Sequence, residues 1–272
     1  GLGTAGEVDA ARPAGPEASA PTVLVFPVFD MAPWAYFDED CRPQGIAVES
    51  LRAIADRAGV PLVLRHERNV DALEAATRAQ DRTATDARAA VLVRLSSVAE
   101  RPGMAKVGDL AVFDIELRVV PAPGVVLPAM SAMAGRRIGM DRDEPRVGEP
   151  LAALGAQAQP FDDYPEMIDA MLAGQLDGVA GLGEGLVYAL RYRPSGPELL
   201  RRGIPLRRDP VWLHLGWNAP ADWSPRLRDA VGAFVESGRF STLRDRYLSR
   251  AAKAPFKTRQ DCSAERGGRP TP

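Results

Sequence analysis

Apolar residues in the first half of the chain follow two different spacings. Continuous apolar runs at positions 22–28, 60–64 and 91–93 are typical of buried strands. Between the first two runs, apolar side chains return every three or four residues up to Gly59, which predicts a helix that ends there. Asn69 can cap a second, shorter helix before the strand at 91–93. Strands separated by helices predict βαβ units and a mostly parallel sheet.

The second half of the chain repeats this alternation. Strands are predicted at 136–140, 175–180 and 211–217, with a helix at 186–190 between the last two. Asp163 and Glu166 form a capping box before a helix that ends at Gly174. Ser224, followed by a proline, predicts the start of a last helix that ends at Gly238.

The two ends of the chain differ from the rest in composition. Residues 1–20 and 251–272 are mainly small, polar, charged or proline residues. Neither segment can offset the entropy of its own ordering by burying apolar surface. We therefore expect a folded unit at 21–250, preceded by a spacer and followed by a tail that is mobile or held only locally.

The overall composition narrows the class of protein. The 272 residues are 46% hydrophobic and 26% charged, which suffices for one large core or two smaller ones. With 34 basic and 36 acidic residues and no basic block, the chain shows no signature of nucleic-acid or anionic-membrane binding. No run of about 18 apolar residues occurs that would span a bilayer. A start at Gly1 fits a processed exported protein or a trimmed chain equally well.

Cysteines and histidines are too few for the usual metal sites. Cys41 and Cys262 are the only cysteines, and they follow no metal-binding spacing, so no metal and no cofactor is expected. The two thiols either pair, as an exported protein would allow, or stay free, and the residues leave both possibilities open. Of the two histidines, His214 lies within a strand pattern and is expected in the core rather than at a ligand.

Positions 89–101, AAVLVRLSSVAER, carry the clearest chemical signal. A buried strand here opens into two hydroxyls and then an arginine, Arg101. Hydroxyls, free amides and a guanidinium at the carboxyl end of a strand are suited to binding an anion, because open α/β sheets bind ligands at that edge.

Five segments in this order resemble the periplasmic solute-binding proteins of ABC importers, polar-amino-acid type (extracellular solute-binding protein family 3). The segments are PWAYFDEDCRPQGIAVESLRAIADRAG (33–59), LSSVAER (95–101), AMAGRRIGM (132–140), MLAGQLDGVAG (171–181) and PRLRDAVGAFVESGRFSTLRDRYL (225–248). Together they span nearly the whole predicted folded unit.

The resemblance implies an α/β fold of two lobes around a ligand cleft, the type II periplasmic-binding-protein fold. Each lobe would hold a mostly parallel sheet flanked by helices, with two crossover strands near 118–121 and 205–211 as the hinge. Lobe 1 would comprise 21–117 and 211–250, and lobe 2 would comprise 118–210. The family also implies a periplasmic monomer with a small-molecule ligand, a membrane permease or receptor as partner, and no nucleic acid.

The same resemblance implies the ligand-binding residues. Trp34 matches the aromatic residue that stacks on the ligand, Ser96 the hydroxyl and Arg101 the guanidinium that binds a ligand carboxylate. We add Ser97 from the same turn and Arg94 from the strand, where family members have a small residue lining the cleft.

Two departures from the family bear on the ligand. The acid that holds the ligand ammonium group in amino-acid binders is replaced by Leu182, with Glu184 as a possible substitute from the next turn. The small turn after the strand at 136–140 is replaced by the segment 141–146, DRDEPR, in which five of the six residues are charged. We therefore expect a carboxylate-bearing or apolar solute rather than an ordinary α-amino acid.

The expected function is capture of such a solute and its delivery to a membrane transporter. One alternative is a periplasmic sensor or accessory protein of the same fold. Another is an enzyme resembling cyclohexadienyl dehydratase, which needs a general acid or base in the cleft. The sequence contains no recognisable catalytic constellation, so binding without catalysis is expected.

Overall fold

The computed structural model describes residues 22–28, 31–65, 89–142, 144–191, 193–249, 256–257 and 262. The helix predicted after Asn69 and the spacer at 1–20 lie outside these residues. In the described part the strands are β1 (Thr22–Pro27), β2 (Tyr36–Asp38), β3 (Pro43–Gln44), β4 (Leu62–Arg65), β5 (Ala89–Ser96), β6 (Met104–Lys106), β7 (Phe113–Pro121), β8 (Arg137–Asp141), β9 (Gln157–Phe161), β10 (Gly178–Leu182), β11 (Ile204–Gly216) and β12 (Phe256–Lys257).

The helices of the described part alternate with these strands. They are α1 (Ile46–Ala58), α2 (Pro145–Ala153), α3 (Tyr164–Leu172), α4 (Gly183–Leu190), α5 (Gly196–Arg201), α6 (Trp223–Glu236) and α7 (Arg239–Leu248), with a 3-10 turn at Met130–Met133. None of the helices in the described ranges has the length and apolar character needed to cross a bilayer.

One sheet runs through the molecule in the order β4, β1, β5, β11, β7, β10, β8, β9, with β6 also paired to β11. In one half of this sheet β1 pairs in parallel with β4 and β5, and in the other half β8 pairs in parallel with β9 and β10. Both halves therefore confirm the predicted mostly parallel α/β arrangement.

Two antiparallel strands, β7 and β11, join the halves, and we call them the hinge strands. The first part of β11 pairs with β7, and its last residues pair with β5 in the other half. β11 thus passes from one half of the sheet to the other, as the predicted crossover at 205–211 requires. The predicted crossover at 118–121 lies within β7.

Local sequence signals explain where the helices begin and end. Gly59 adopts a left-handed conformation (φ 67°) after α1, as its predicted role as a helix stop requires. The Asp163 carboxylate accepts a 2.8 Å hydrogen bond from the Glu166 backbone N–H, so the predicted N-cap of α3 is confirmed. The start predicted at Ser224 is slightly displaced, because α6 begins at Trp223.

The β10 boundary also differs from the prediction at 175–180. The Gln175 N–H donates to the Ala170 carbonyl at 3.0 Å, so this residue still belongs to the turn that ends α3. The strand begins at Gly178 and continues to Leu182, and all five of its residues are buried. A buried strand without polar alternation has no sequence feature that marks its last residue.

Cys41 and Cys262 form a disulfide, which answers the question that the sequence left open. Their Cα atoms lie 5.5 Å apart, within the usual range for a disulfide. Close to this bridge, β12 pairs with β2 in a small sheet. The C-terminal tail is therefore held at two points against the first loop of the folded unit.

Candidate ligand-binding cleft

A cavity of about 380 Å³ lies between the two halves of the sheet, and we call it the cleft. One side is formed by the end of β5 and the turn that follows it, together with Trp34. The other side includes Leu182 at the end of β10 and the charged residues Glu144 and Arg146. The hinge strands contribute Phe113, Ile115 and Val211 between these sides.

The end of β5 brings four of the predicted site residues into the cleft: Arg94, Ser96, Ser97 and Arg101. The Ser96 hydroxyl accepts a 3.1 Å hydrogen bond from the Val98 N–H, which leaves its own O–H free to donate. A hydroxyl donor and two guanidinium groups at one strand end suit a carboxylate or another small anion.

Trp34 also lines the cleft, but most of its surface is used in packing. The side chain is 3% exposed, and its ring stacks on Phe113 of β7 at a centroid distance of 5.0 Å. Phe113 in turn stacks on Phe240 of α7 at 4.8 Å. The three rings form a continuous aromatic stack that joins the first loop, a hinge strand and α7. A ligand would meet the remaining surface of Trp34 as a flat apolar wall.

Gly45 explains how the Trp34 loop is held. At φ 129° it precedes α1, and a Cβ at this position would lie 2.1 Å from the Trp34 carbonyl oxygen. The Ala47 N–H in the first turn of α1 donates to that same oxygen at 2.9 Å. The start of α1 therefore fixes the backbone of Trp34 directly.

His214 is fully buried beside the turn that follows β5. It pairs across the sheet with Arg94 on one side and Lys106 on the other. Burial lowers its pKa, and the positive charges of Arg101 and Lys106 act in the same direction. The imidazole is thus held neutral in the core, in agreement with the role predicted for it.

Glu144 and Arg146, which the sequence interpretation did not select, lie on the opposite side of the cleft. Arg146 donates from Nε and Nη2 to the two carboxylate oxygens of Glu144, at 2.6 and 2.7 Å. Its Nη1 donates to the hydroxyl of Ser97. Burial opposes the charge of Arg146, but the hydrogen bonds and charge of Glu144 outweigh it and raise the pKa. Both residues belong to the charged segment noted as a departure from the family.

Leu182 and Glu184 lie in different environments. Leu182 lines the cleft, so the position at which amino-acid binders place an acid is apolar here. Glu184 does not line the cleft, which corrects its suggested role as a substitute. It lies in a separate cavity, where its Oε1 is 3.4 Å from Nε of Arg244. The chain enters α4 at Gly183, directly after Leu182. The side chain of Glu184 therefore leaves the backbone in a different direction from that of Leu182.

Asp209 is a second acid that sequence reasoning did not select. It pairs with Ile115 across the hinge strands and so shares the face of Ile115 and Val211, both of which line the cleft. Its Oδ1 accepts a 2.8 Å hydrogen bond from Nε of Arg207. Its Oδ2 is buried and has no hydrogen-bond partner within the described residues. The sequence alone does not show that Asp209 shares a face with cleft residues, because this follows from the pairing register of the two hinge strands.

Comparison with known proteins gives structural matches only. No family model matches the chain, and no curated protein matches it. The GluR0 ligand-binding core in complex with L-glutamate aligns with a TM-score of 0.60 at 15% identity, covering 86% of this chain and all of that one. The L-cystine solute receptor of Neisseria gonorrhoeae aligns with a TM-score of 0.58 at 18% identity, covering 84% and 92% of the two chains.

A third solved structure is the sensor domain of a kinase. It is a histidine kinase sensor domain with similarity to periplasmic binding proteins, aligned with a TM-score of 0.57 at 16% identity over 88% of this chain and 99% of that one. These identities are too low to carry ligand or activity from one chain to another, and they establish the architecture alone. The chain therefore has the two-lobed α/β fold of the periplasmic solute-binding proteins that its sequence resembles.

Proposed function

We propose that the protein is an extracytoplasmic solute-binding protein whose cleft captures a small carboxylate-bearing solute. The observation that carries this proposal is the grouping in one cavity of Ser96, Ser97 and Arg101 from the end of β5 with Arg146 from the other half of the sheet. A planar guanidinium binds a carboxylate through two parallel hydrogen bonds, and hydroxyls can supply further donors.

The charge of the cleft supports an anionic solute. Among the described residues that line it, three are arginines (Arg94, Arg101 and Arg146) and one is an acid, Glu144, which is bound to Arg146. Where the family binds an ammonium group, the apolar Leu182 offers no charge, and an unpaired buried cation costs several kcal/mol. Phe113 and Trp34 suit an apolar body on the same solute.

We assign lobe 1 to residues 21–117 and 211–250, and lobe 2 to 118–210, with the hinge strands between them. The cleft residues then come from both lobes, so a bound solute contacts both. A solute that binds the closed arrangement more tightly than the open one shifts the population toward closure. The closed monomer would then be presented to a membrane permease in the periplasm.

A sensor role is the second candidate, since one of the solved structures with this fold is a kinase sensor domain. The same capture of a solute would then signal to a membrane receptor instead of delivering cargo. Binding is preferred to a dehydratase-like activity because the arginines of the cleft do not act as general bases at neutral pH, and the one acid among the described lining residues, Glu144, has both carboxylate oxygens bound to Arg146.

The proposal is tested by native mass spectrometry of freshly purified protein, followed by calorimetric titration of any carboxylic acid that is recovered. Retention of a small carboxylate, released on unfolding, supports the proposal. Turnover of cyclic carboxylic acids by the protein would instead establish the enzyme. Failure of every organic acid in a broad thermal-shift screen to stabilise the protein would contradict the proposal.

A further inference from the structure

The polar end of the cleft offers hydrogen-bond donors to a solute. The Ser96 hydroxyl accepts from the Val98 N–H, and the Ser97 hydroxyl accepts from Nη1 of Arg146. Each hydroxyl therefore keeps its own O–H to donate. The one acid among the described lining residues, Glu144, has both carboxylate oxygens bound to Arg146. A solute that meets this end of the cleft needs acceptor atoms rather than donors.

Arg146 can bind a solute while Glu144 holds it. A guanidinium carries five N–H groups. Arg146 donates those of Nε and Nη2 to Glu144, and one of Nη1 to Ser97, which leaves one N–H on each Nη atom for another acceptor. The side chain of Arg146 is 25% exposed, whereas that of Glu144 is 9% exposed. The guanidinium is therefore more accessible from the cleft than the acid that orients it.

Arg146 also lies near Leu182, where the resemblance to the family places the ammonium group of an amino acid. The Leu182 N–H donates to the hydroxyl of Tyr164 at 2.9 Å. Burial raises the pKa of Tyr164, and the positive charge of Arg146 acts in the opposite direction, so the guanidinium is close to the same hydroxyl. Leu182 and Arg146 both line the cleft. The place of a counter-ion for ammonium is thus taken by an apolar side chain with a guanidinium beside it.

The charges around the cleft favour more than one negative group on the solute. The charged residues that line its described part are three arginines and one acid. A further acid whose charge acts on Arg146 is Asp209, and it accepts a 2.8 Å hydrogen bond from Nε of Arg207. Each of these two acids therefore has an arginine of its own, and a second carboxylate on the solute meets arginines from both sides of the cleft.

We propose that the solute is a dicarboxylate, whose second carboxylate takes the place of the ammonium group of an amino acid. This inference rests on the proposed function and names its substrate class. One carboxylate binds Arg101 and the hydroxyl of Ser96, and the other binds Arg146 and the hydroxyl of Ser97. The apolar body lies against Phe113. Because Arg101 and Arg146 belong to different proposed lobes, the two carboxylates connect the lobes.

The test compares probes that differ in one substituent on the same carbon. 3-Phenylpropionate carries hydrogen there, L-phenylalanine an ammonium group and benzylmalonate a second carboxylate. Butyrate, 2-aminobutyrate and ethylmalonate repeat the series with a small aliphatic body. The monomethyl ester of benzylmalonate controls for size, because it keeps both carbonyl groups but only one charge. Calorimetry on the full chain is done at matched ionic strength and slightly alkaline pH, where both carboxyl groups are ionised.

We expect a dicarboxylate to bind about tenfold more tightly than its monocarboxylate in at least one series, the size of one charge-assisted hydrogen bond. The monomethyl ester should bind like 3-phenylpropionate, and the amino acids should bind most weakly. Binding of the monocarboxylates without any gain from the second carboxylate would overturn this inference and leave the proposed function standing. Absence of binding by every acid of both series would contradict this inference, and the broad screen of organic acids then decides the proposed function separately.

Arg146→Gln tests the position of the second carboxylate. The ratio of the affinities for benzylmalonate and 3-phenylpropionate should fall to about one in this variant, because the group that distinguishes them is lost. Arg142→Gln removes an exposed arginine from the same segment and should keep the wild-type ratio. A wild-type ratio in Arg146→Gln would contradict the proposal.

A second variant keeps the test decisive if Arg146→Gln folds poorly. Leu182→Asp places an acid where amino-acid binders of the family have one. We expect it to reverse the order of affinities, so that L-phenylalanine binds more tightly than benzylmalonate. Leu110→Asp, which adds the same charge at an exposed position outside the residues that line the cleft, should keep the wild-type order. An unchanged preference for benzylmalonate in Leu182→Asp would also contradict the proposal.

Discussion

Nη1 of Arg146 donates a hydrogen bond to the hydroxyl of Ser97, and this contact joins the two sides of the cleft. Arg146 belongs to α2 and Ser97 follows β5, so the bond connects the two proposed lobes. Glu144 holds the same guanidinium by two further hydrogen bonds, which fixes its plane. The Arg146 guanidinium is thereby oriented toward the turn that follows β5 on the other side of the cleft.

Arg101 is expected to be the main contact with the anionic group of the solute. Arg101→Ala should weaken binding of the recovered solute by about 2–4 kcal/mol, because the guanidinium and its anion are desolvated together. Calorimetric titration measures this change. Arg52→Ala, at an exposed position on α1, is the matched control and should bind as wild type does. Unchanged affinity in Arg101→Ala would remove this residue from the site.

Solute binding should bring the lobes together. We expect the radius of gyration, measured by small-angle X-ray scattering, to fall when the solute saturates the protein, because the closed arrangement has more contacts with it. Arg146→Ala removes a direct contact between the lobes and should reduce this change. An identical radius with and without the solute would count against closure.

Specificity should follow the apolar character of Leu182. Matched pairs of an α-amino acid and its analogue without the amino group, such as L-phenylalanine and 3-phenylpropionate or L-glutamate and glutarate, isolate the ammonium group. We expect the analogue without the amino group to stabilise the protein more in a thermal-shift assay, because an unpaired buried cation costs several kcal/mol. Stronger stabilisation by the amino acid would contradict this prediction and would indicate that Asp209 or Glu144 binds the ammonium group.

The disulfide should contribute strongly to stability. It links residues 221 positions apart, and closing so long a loop is worth about 5 kcal/mol in the chain-entropy model. Chemical denaturation of wild type and of the double variant Cys41→Ser, Cys262→Ser should show a loss of up to this size. If reductant lowers the stability of wild type but leaves the double variant unchanged, the difference belongs to the disulfide. Equal stability of the two proteins would contradict the prediction.

His214 should make stability depend on pH. Because burial lowers its folded-state pKa below the ordinary value, the unfolded chain binds more protons as the pH falls through about 6.5. We therefore expect the free energy of unfolding to decrease between pH 7 and pH 5. Urea titrations at several pH values should show a smaller decrease for His214→Leu than for wild type. His66→Gln, which changes the only other histidine, is the control.

Some residues have positions that follow from the local sequence. Gly59, the Asp163 cap and the strand leading to Ser96 were predictable, because spacing, capping and hydrophobic runs act among near neighbours along the chain. Trp34 and Arg101 were located in the cleft through the resemblance. Their contacts with a solute stay a prediction.

Other residues could not be located from the sequence. Arg146 reaches Ser97 only because the two halves of the sheet face each other, and Glu184 lines a cavity separate from the cleft because the chain turns into α4 after Leu182. Asp209 shares a face with Ile115 through the register of two strands that are far apart in the chain.

The sequence by itself thus determined the alternation of the main strands and helices, the α/β class and the strand end that carries Ser96 and Arg101, because these depend on interactions over a few residues. Only the tertiary structure decided that Cys41 reaches Cys262, that Arg146 lines the cleft and that Glu184 lines a separate cavity. These outcomes depend on strand register and on the packing of the two halves, where a shift of one residue moves a side chain to the opposite face of the sheet.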